Sequence, residues 1–222
     1  LFIPNLICTS QNTSAVTAFG KYETSFMAVQ KKLFRQFRFT GLYEVVEGSL
    51  PRDWDASKPL TLNILPKDTD LVLLSQLVDN NTLEFHLIDT HKREDLLAKS
   101  YKNFLVGQLP SIVNRFSNLA YEVLTGEKGV FGTKIAFVGS SVVGKPKALY
   151  VVEMDGSGLQ QLTFNNSIHL LPAWSPDGNK ITYTSFVDGS AQIYVYNLLT
   201  KKHIRLSYGK GSFSGASWHP DG

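Results

Sequence analysis

The chain has 222 residues, of which 43% are hydrophobic and 18% are charged, and its 22 Lys and Arg against 19 Asp and Glu give a formal charge of +3. This composition excludes a disordered chain, and the length allows one large domain or two small ones. The positive charges form no basic stripe, which argues against nucleic acid as the main partner. No apolar run reaches the roughly 18 to 20 residues of a membrane helix. Cys8 is the only cysteine, so no internal disulfide can form.

The first elements of the chain follow from its apolar periodicity. We interpret residues 1–8 as a processed or truncated end, because this run is too short and too poor in basic residues for a signal peptide. Apolar residues then recur at three- and four-residue steps over 26–37, and Gly41 follows, which predicts an amphipathic helix closed by a glycine. The apolar run 71–74 and the alternation over 83–87 predict a β-hairpin.

A third strand and a second helix complete the first half. The strand is expected near residues 96–101, and an apolar stripe over 109–124 predicts a helix that ends at Gly126. We therefore expect an α+β domain over residues 1–127, in which both helices lie on one face of a small sheet.

The second half contains an internal repeat. Pro-Ala-Trp-Ser-Pro-Asp-Gly at 172–178 is echoed by Ala-Ser-Trp-His-Pro-Asp-Gly at 216–222, so Trp174 and Trp218 are 44 positions apart. A repeat of about 40 to 45 residues with four short strands is typical of a β-propeller blade. Residues 128–222 are therefore predicted to form two blades and the start of a third.

The repeated motif has a structural interpretation. Pro176 favours the first central position of a type I turn, Asp177 is suited to the second, and Gly178 to the fourth. Asp177 could instead be catalytic or bind a metal. We favour the turn because the same unit recurs, as Pro220, Asp221 and Gly222. Trp174 is expected to be buried between neighbouring blades.

An incomplete ring has a consequence for packing. Two blades and part of a third cannot close a propeller. We therefore expect the sheet faces that carry Ile181, Tyr183, Ile193 and Val195 to stay partly exposed unless copies of the chain associate.

Enzymatic chemistry is not indicated by the sequence. There is no Gly-x-Ser-x-Gly nucleophile motif, and the five histidines show no metal-ligand spacing. We expect no catalytic residue, no metal and no cofactor. His169 is predicted to lie on a loop that leads into the turn at Trp174, where it either joins a contact surface or is simply solvated.

The sequence resembles a known family in several segments. The junction 121–131 (Tyr-Glu-Val-Leu-Thr-Gly-Glu-Lys-Gly-Val-Phe) is the most specific, and 133–138 and the turn motif 172–178 agree with it. From about residue 68 to its end the chain resembles the TolB family. The resemblance implies a six-bladed propeller in a non-enzymatic, periplasmic component of the Tol-Pal system, which maintains outer-membrane integrity. It also implies contacts with the lipoprotein Pal and, near the N-terminus, with TolA.

The resemblance also suggests where a partner would bind. The family has a histidine that contacts Pal just before the second turn motif, where this chain has Ser212, followed by Phe213, Ser214 and Gly215. These four residues, together with His169, are our candidate contact residues. An alternative from another class is the substrate-gating propeller of a serine peptidase whose hydrolase domain would lie beyond residue 222. The order of domains and the missing nucleophile favour the scaffold.

Overall fold

The computed structural model describes residues 5–12, 22–49, 69–79 and 81–222. The chain divides into two compact units, residues 1–132 and residues 133–222. The first unit contains β1 (Asn5–Asn12), α1 (Tyr22–Thr40), β2 (Glu44–Ser49), β3 (Leu71–Asp79), β4 (Thr82–Asp89), β5 (Glu94–Lys102), a short 3₁₀ helix (Val106–Gln108) and α2 (Leu109–Thr125). The second contains β6 (Lys134–Gly139), β7 (Ala148–Glu153), β8 (Gln160–Gln161), β9 (His169–Trp174), β10 (Lys180–Ser185), β11 (Gln192–Asn197) and β12 (Lys202–Arg205).

The first unit has a five-stranded sheet in the order β2-β1-β3-β4-β5. The predicted hairpin and third strand are confirmed as β3, β4 and β5, which pair antiparallel. The sequence analysis missed β1 and β2. β1 lies between β2 and β3 and is parallel to both, so the segment that we interpreted only as a processed end extends into a strand of the sheet.

Both predicted helices are confirmed, and they share one hydrophobic core with one face of this sheet. Phe85 of β4 stacks on Phe116 of α2, with ring centroids 4.7 Å apart and planes inclined by 18°. From α1, Phe37 is fully buried in the same core. Gly126 ends α2 in the left-handed conformation, at φ 76°, and its N–H donates to the carbonyl of Glu122.

The junction after α2 packs onto that helix. Asn118 accepts a hydrogen bond from the Phe131 N–H at 2.7 Å and donates one to the Phe131 carbonyl at 3.1 Å. A Cβ atom on Gly129 would lie 2.5 Å from the Cα of Asn118, so this close approach requires glycine. The compact units therefore divide at Gly132 and Thr133, after the packed segment, whereas the sequence analysis placed the boundary between residues 127 and 128.

The second unit consists of two blades, a three-stranded sheet β6-β7-β8 and a four-stranded sheet in the order β12-β11-β10-β9. Equivalent hydrogen bonds recur at the 44-residue spacing of the repeat. The N–H of Leu149 donates to the Thr163 hydroxyl at 2.9 Å, and 44 residues later the N–H of Ile193 donates to the Ser207 hydroxyl, also at 2.9 Å. The repeated sequence thus produces repeated backbone geometry.

The two blades share a core that is better covered than the sequence analysis expected. Ile181 is fully buried, and Tyr183 and Val195 are also buried, so their expected exposure is wrong, whereas Ile193 is partly exposed as expected. Ile181 and Tyr183 pack against Leu149 and the other buried residues of the first blade, which cover this face of the second blade. Trp174 contacts the same cluster but is only half-buried.

Candidate functional site

The candidate contact residues 212–215 lie at one end of the second blade. The N–H of Phe213 donates to the Ala191 carbonyl at 2.8 Å, and the N–H of Gly215 donates to the Thr184 hydroxyl at 3.3 Å. The Gln192 side chain also donates to the Gly211 carbonyl at 3.0 Å. Backbone bonds therefore hold the segment while its four side-chain positions remain exposed.

The second blade has exposed apolar side chains that the sequence analysis did not single out, and one of them lies beside this segment. Ile168 precedes β9 and Phe186 follows β10, and the two are joined by a hydrogen bond from the Phe186 N–H to the Ile168 carbonyl. Leu171, at φ 53° in β9, is exposed and lies beside Gly215. The only sequence signal for such residues was their position next to predicted strand ends, where propeller loops are found.

His169 is placed differently from the prediction. It is the first residue of β9 and is fully buried, so it lies neither on a loop nor at the surface. Its Nε2 donates to the Asn165 side-chain oxygen at 2.6 Å. Burial, followed by the nearby His203, lowers the pKa of His169 to about 4, so the ring is neutral at pH 7.

A chain of polar rings continues from His169 through the blade. The His169 and Tyr183 rings make an edge contact at 5.5 Å, and Tyr183 is hydrogen-bonded to His203 Nδ1 at 2.8 Å. Burial raises the pKa of Tyr183 and lowers that of His203, so both are neutral.

The turn interpretation of the Pro-Asp-Gly motif is supported by its hydrogen bonds. The N–H of Gly178 donates to the Ser175 carbonyl at 2.9 Å, which closes the four-residue turn. Asp177 accepts hydrogen bonds from the Ser175 hydroxyl and from Asn179, and these bonds lower its pKa to about 2. Its carboxylate is thus engaged within the turn.

The second copy of the motif repeats this turn with a different first residue. The N–H of Gly222 donates to the His219 carbonyl at 3.0 Å, and His219 Nδ1 lies 3.3 Å from a carboxylate oxygen of Asp221. His219 therefore occupies the place of Ser175, but its Nδ1 accepts a hydrogen bond from the Asp221 N–H at 3.3 Å, whereas the Ser175 hydroxyl donates to Asp177. Trp218 Nε1 donates to the Ala173 carbonyl at 3.1 Å, and Pro220 lies exposed within the turn.

Two further observations concern metals and membranes. Among the residues that the structure describes, no group of three or more His, Cys, Asp and Glu side chains could hold a metal ion. Neither helix in the described part of the chain has the length and hydropathy needed to cross a membrane.

Comparison with known proteins shows what this fold is similar to. Residues 121–222 match the family model described as the TolB beta propeller domain. The Tol-Pal system protein TolB of Alcanivorax borkumensis is 29% identical over 195 residues, which cover 87% of this chain and 39% of that protein. The Tol-Pal system protein TolB of Desulfosudis oleivorans is 36% identical over 138 residues, which cover 62% of this chain and 31% of that protein. The chain thus spans less than half the length of either relative.

A solved structure agrees in fold. The crystal structure of TolB from Acinetobacter baumannii matches 99% of this chain and 54% of its own, with a TM-score of 0.69 and 22% sequence identity. The resemblance that began from the junction and the turn motifs is therefore confirmed. The chain is similar to TolB, and it consists of an α+β domain with two helices followed by part of a β-propeller of TolB type.

Proposed function

We propose that this chain acts as a non-enzymatic, protein-binding scaffold of the Tol-Pal system in the periplasm, where contacts with Pal and TolA help to maintain the outer membrane. The observation that carries the proposal is the similarity over 195 residues to a protein named Tol-Pal system protein TolB. Because the chain spans 39% of that relative, the partners of the whole protein enter here only as part of the proposal.

The surface that we propose for Pal is the exposed segment Ser212–Gly215 with its apolar neighbours. Phe213 is 37% exposed and is held by a backbone hydrogen bond, so its ring is presented without a large ordering cost. Leu171, which is exposed beside Gly215, extends the apolar surface. Because His169 is buried, it would stabilise this end of the blade from the interior and would not contact Pal directly.

Binding of Pal to this chain is expected to be weak. The resemblance implies a histidine where Ser212 stands, and a serine hydroxyl reaches less far and has no ring to pack. The four candidate residues carry no charge, so contact would depend on the Phe213 ring and on backbone groups.

Calorimetric titration of the chain with lipid-free Pal tests this surface. We expect Ser212→His to strengthen binding about fivefold or more, equivalent to one net hydrogen bond of about 1 kcal/mol, and Phe213→Ala to weaken it. Leu199→Ala is a matched control, because Leu199 is 75% exposed but lies in the connection between β11 and β12. The proposed surface is wrong if Ser212→His and Phe213→Ala both bind Pal as the unchanged chain does.

The proposed TolA contact is placed near the N-terminus, where residues 1–4 lie outside the described part of the chain. Deletion of residues 1–4 leaves β1 intact. We expect this deletion to weaken binding to the soluble part of TolA while Pal binding stays unchanged. Equal TolA binding by both forms would place the contact elsewhere.

A further inference from the structure

The exposed face of α1 carries charge of one sign only. Lys31, Arg35 and Arg38 are exposed and follow one another at steps of four and three residues, so they lie on one side of the helix. No Asp or Glu occurs between residues 24 and 43. The sequence analysis found no basic stripe along the chain, whereas formation of α1 produces a short one on this face.

The described part of the fold does not neutralise these three cations. No carboxylate among the described residues forms an ion pair with any of them. The Arg38 guanidinium lies 5.9 Å from the centre of the Phe34 ring, a contact that leaves its charge in place. In α2, by contrast, the exposed charged residues are Arg115 and Glu122, one of each sign. The positive charge of α1 is therefore available to an anionic partner.

Two large apolar side chains lie on the same face of α1. Met27 is four residues before Lys31, Phe39 is four residues after Arg35, and the two apolar side chains are 49% and 55% exposed. At 1.5 Å per residue they are about 18 Å apart along the helix axis, with the cations between them. The opposite face of the helix, which includes Leu33, is buried in the core. The exposed face is thus a narrow cationic strip with an apolar side chain at each end.

We propose that this face of α1 is a docking surface for anionic phospholipid headgroups, with the helix lying parallel to the membrane surface. The phosphates of the headgroups match the three cations, and the boundary between headgroups and acyl chains accepts Met27 and Phe39. An acidic polypeptide would also neutralise the cations, but acidity alone gives no role to the two apolar side chains. Neither α1 nor α2 has the length and hydropathy to cross a membrane, so the contact is peripheral.

The attraction is the sum of several weak contributions. One Lys or Arg close to an anionic membrane surface strengthens binding about fivefold, so three together contribute about a hundredfold. Salt screens exposed charges, and it should therefore weaken the contact. The surface involves neither Pal nor TolA and lies outside residues 212–215, so its test is independent of the function proposed above.

Co-sedimentation of the 222-residue chain with lipid vesicles tests the proposal. The vesicles contain either phosphatidylcholine alone or equal parts of phosphatidylcholine and phosphatidylglycerol. We expect binding only when phosphatidylglycerol is present, and loss of binding as sodium chloride is raised from about 0.1 M to about 0.5 M. The variant Lys31→Gln/Arg35→Gln/Arg38→Gln should bind at least about tenfold more weakly. Glutamine favours helix, so α1 should persist in this variant, and circular dichroism checks that it does.

A second triple variant separates the position of the charges from the net charge. Lys99→Gln/Lys102→Gln/Lys210→Gln removes three exposed lysines outside α1 and lowers the formal charge from +3 to 0, as the α1 variant does. It should bind the anionic vesicles as the unchanged chain does. Equal losses in the two triple variants would overturn the proposal, as would an unchanged chain that does not bind the anionic vesicles.

A third variant distinguishes a lipid surface from an acidic polypeptide. Met27→Ser/Phe39→Ser keeps every cation, and we expect it to bind the anionic vesicles about fivefold more weakly. Poly-L-glutamate is the comparison probe, and its binding should not change in this variant. Binding of poly-L-glutamate that requires the three cations, in a chain that does not bind the vesicles, would identify an acidic protein as the partner and would overturn the lipid assignment.

Discussion

The two units of the molecule bury different chemistry. The core of the first unit is centred on apolar contacts such as the stacked rings of Phe85 and Phe116. The second unit buries the polar rings of His169 and Tyr183, which connect to the more exposed His203, beside its apolar residues. Apolar packing is insensitive to protonation, whereas a buried imidazole must stay neutral. Within one chain, the stability of the first unit therefore depends mainly on the volume of its buried side chains, whereas the stability of the second unit also depends on pH.

The largest expected effect on stability comes from a substitution that disrupts the apolar core. Phe116→Ala should lower the free energy of unfolding of the first unit by about 3 to 5 kcal/mol, because it removes a fully buried ring and leaves a cavity. Denaturant titration followed by NMR signals from each unit measures this effect. Val123→Ala, at an exposed position of the same helix, is the control and should change stability by about 0.5 kcal/mol or less. We expect the second unit to be unaffected, and an equal loss of stability in both units would show that they unfold together.

The second effect is acid sensitivity of the second unit. The pKa of His169 is about 4 in the folded chain and about 6.5 when unfolded. The unfolded state therefore takes up the proton first, and stability is lost as the pH falls from about 6.5 toward 4. The loss is on the order of 3 kcal/mol for His169, and the lowered pKa of His203 acts in the same direction.

Denaturant titrations at pH 7 and pH 5 measure this loss, and His169→Gln should flatten the pH dependence of the second unit. His91 in the first unit is the contrasting group, because its hydrogen bond to Asp70 raises its pKa. The stabilisation of the folded state by His91 is fully present below about pH 6.5 and is lost as the pH rises through the raised pKa. His91→Gln should therefore not remove the acid sensitivity of the second unit, and a pH-independent second unit would refute the role assigned to His169.

A third effect concerns the indole between the blades. Trp174→Ala should destabilise the second unit by about 2 to 3 kcal/mol, near the lower end of the range for large aromatic side chains, because Trp174 is only half-buried. Thermal unfolding monitored by circular dichroism checks the value. Tyr208→Ala removes an exposed ring from the same unit and should have little effect. An unchanged melting temperature for Trp174→Ala would exclude a packing role.

The smallest effect distinguishes the two turns. The Ser175 hydroxyl accepts from the Lys180 N–H at 2.9 Å and lies in a buried position, so Ser175→Ala should cost about 1 to 2 kcal/mol. His219→Ala changes an exposed side chain in the equivalent place and should alter stability by about 0.5 kcal/mol or less. Equal costs measured in parallel denaturant titrations would show that the first residue of the turn acts in the same way in both repeats.

Much of the fold follows from local sequence patterns. Patterns that span only a few residues predicted α1, α2 and the β3–β4 hairpin. The repeat of Trp174 as Trp218 predicted the blades. β1 and β2 were missed because their partners are distant in sequence, as in the pairing of Leu6 with Leu71. Neither segment shows the long alternation that marks a strand with one buried face.

The candidate site was less predictable than the fold. The sequence placed Ser212 to Gly215 before a turn, and the structure finds them exposed at the end of a blade. The burial of His169 could not be anticipated, because it depends on Asn165 and on the Tyr183 ring, which are brought together only when the blade folds. In a repeat protein, the polarity of a side chain therefore does not predict whether that side chain is exposed.

The position of β1 between β2 and β3 in the first sheet has a consequence for the order of folding. β1 pairs with residues 44–49 and 71–77, so a nascent chain must hold this strand, with both backbone edges unpaired, until much of the first unit has been made. Unpaired edges of this kind favour aggregation. The hairpins of the second unit, by contrast, join neighbouring residues and can form as soon as they emerge. The folding chain is therefore most vulnerable to aggregation before β3 has paired with β1, and a holding chaperone would have its greatest effect on yield during that interval.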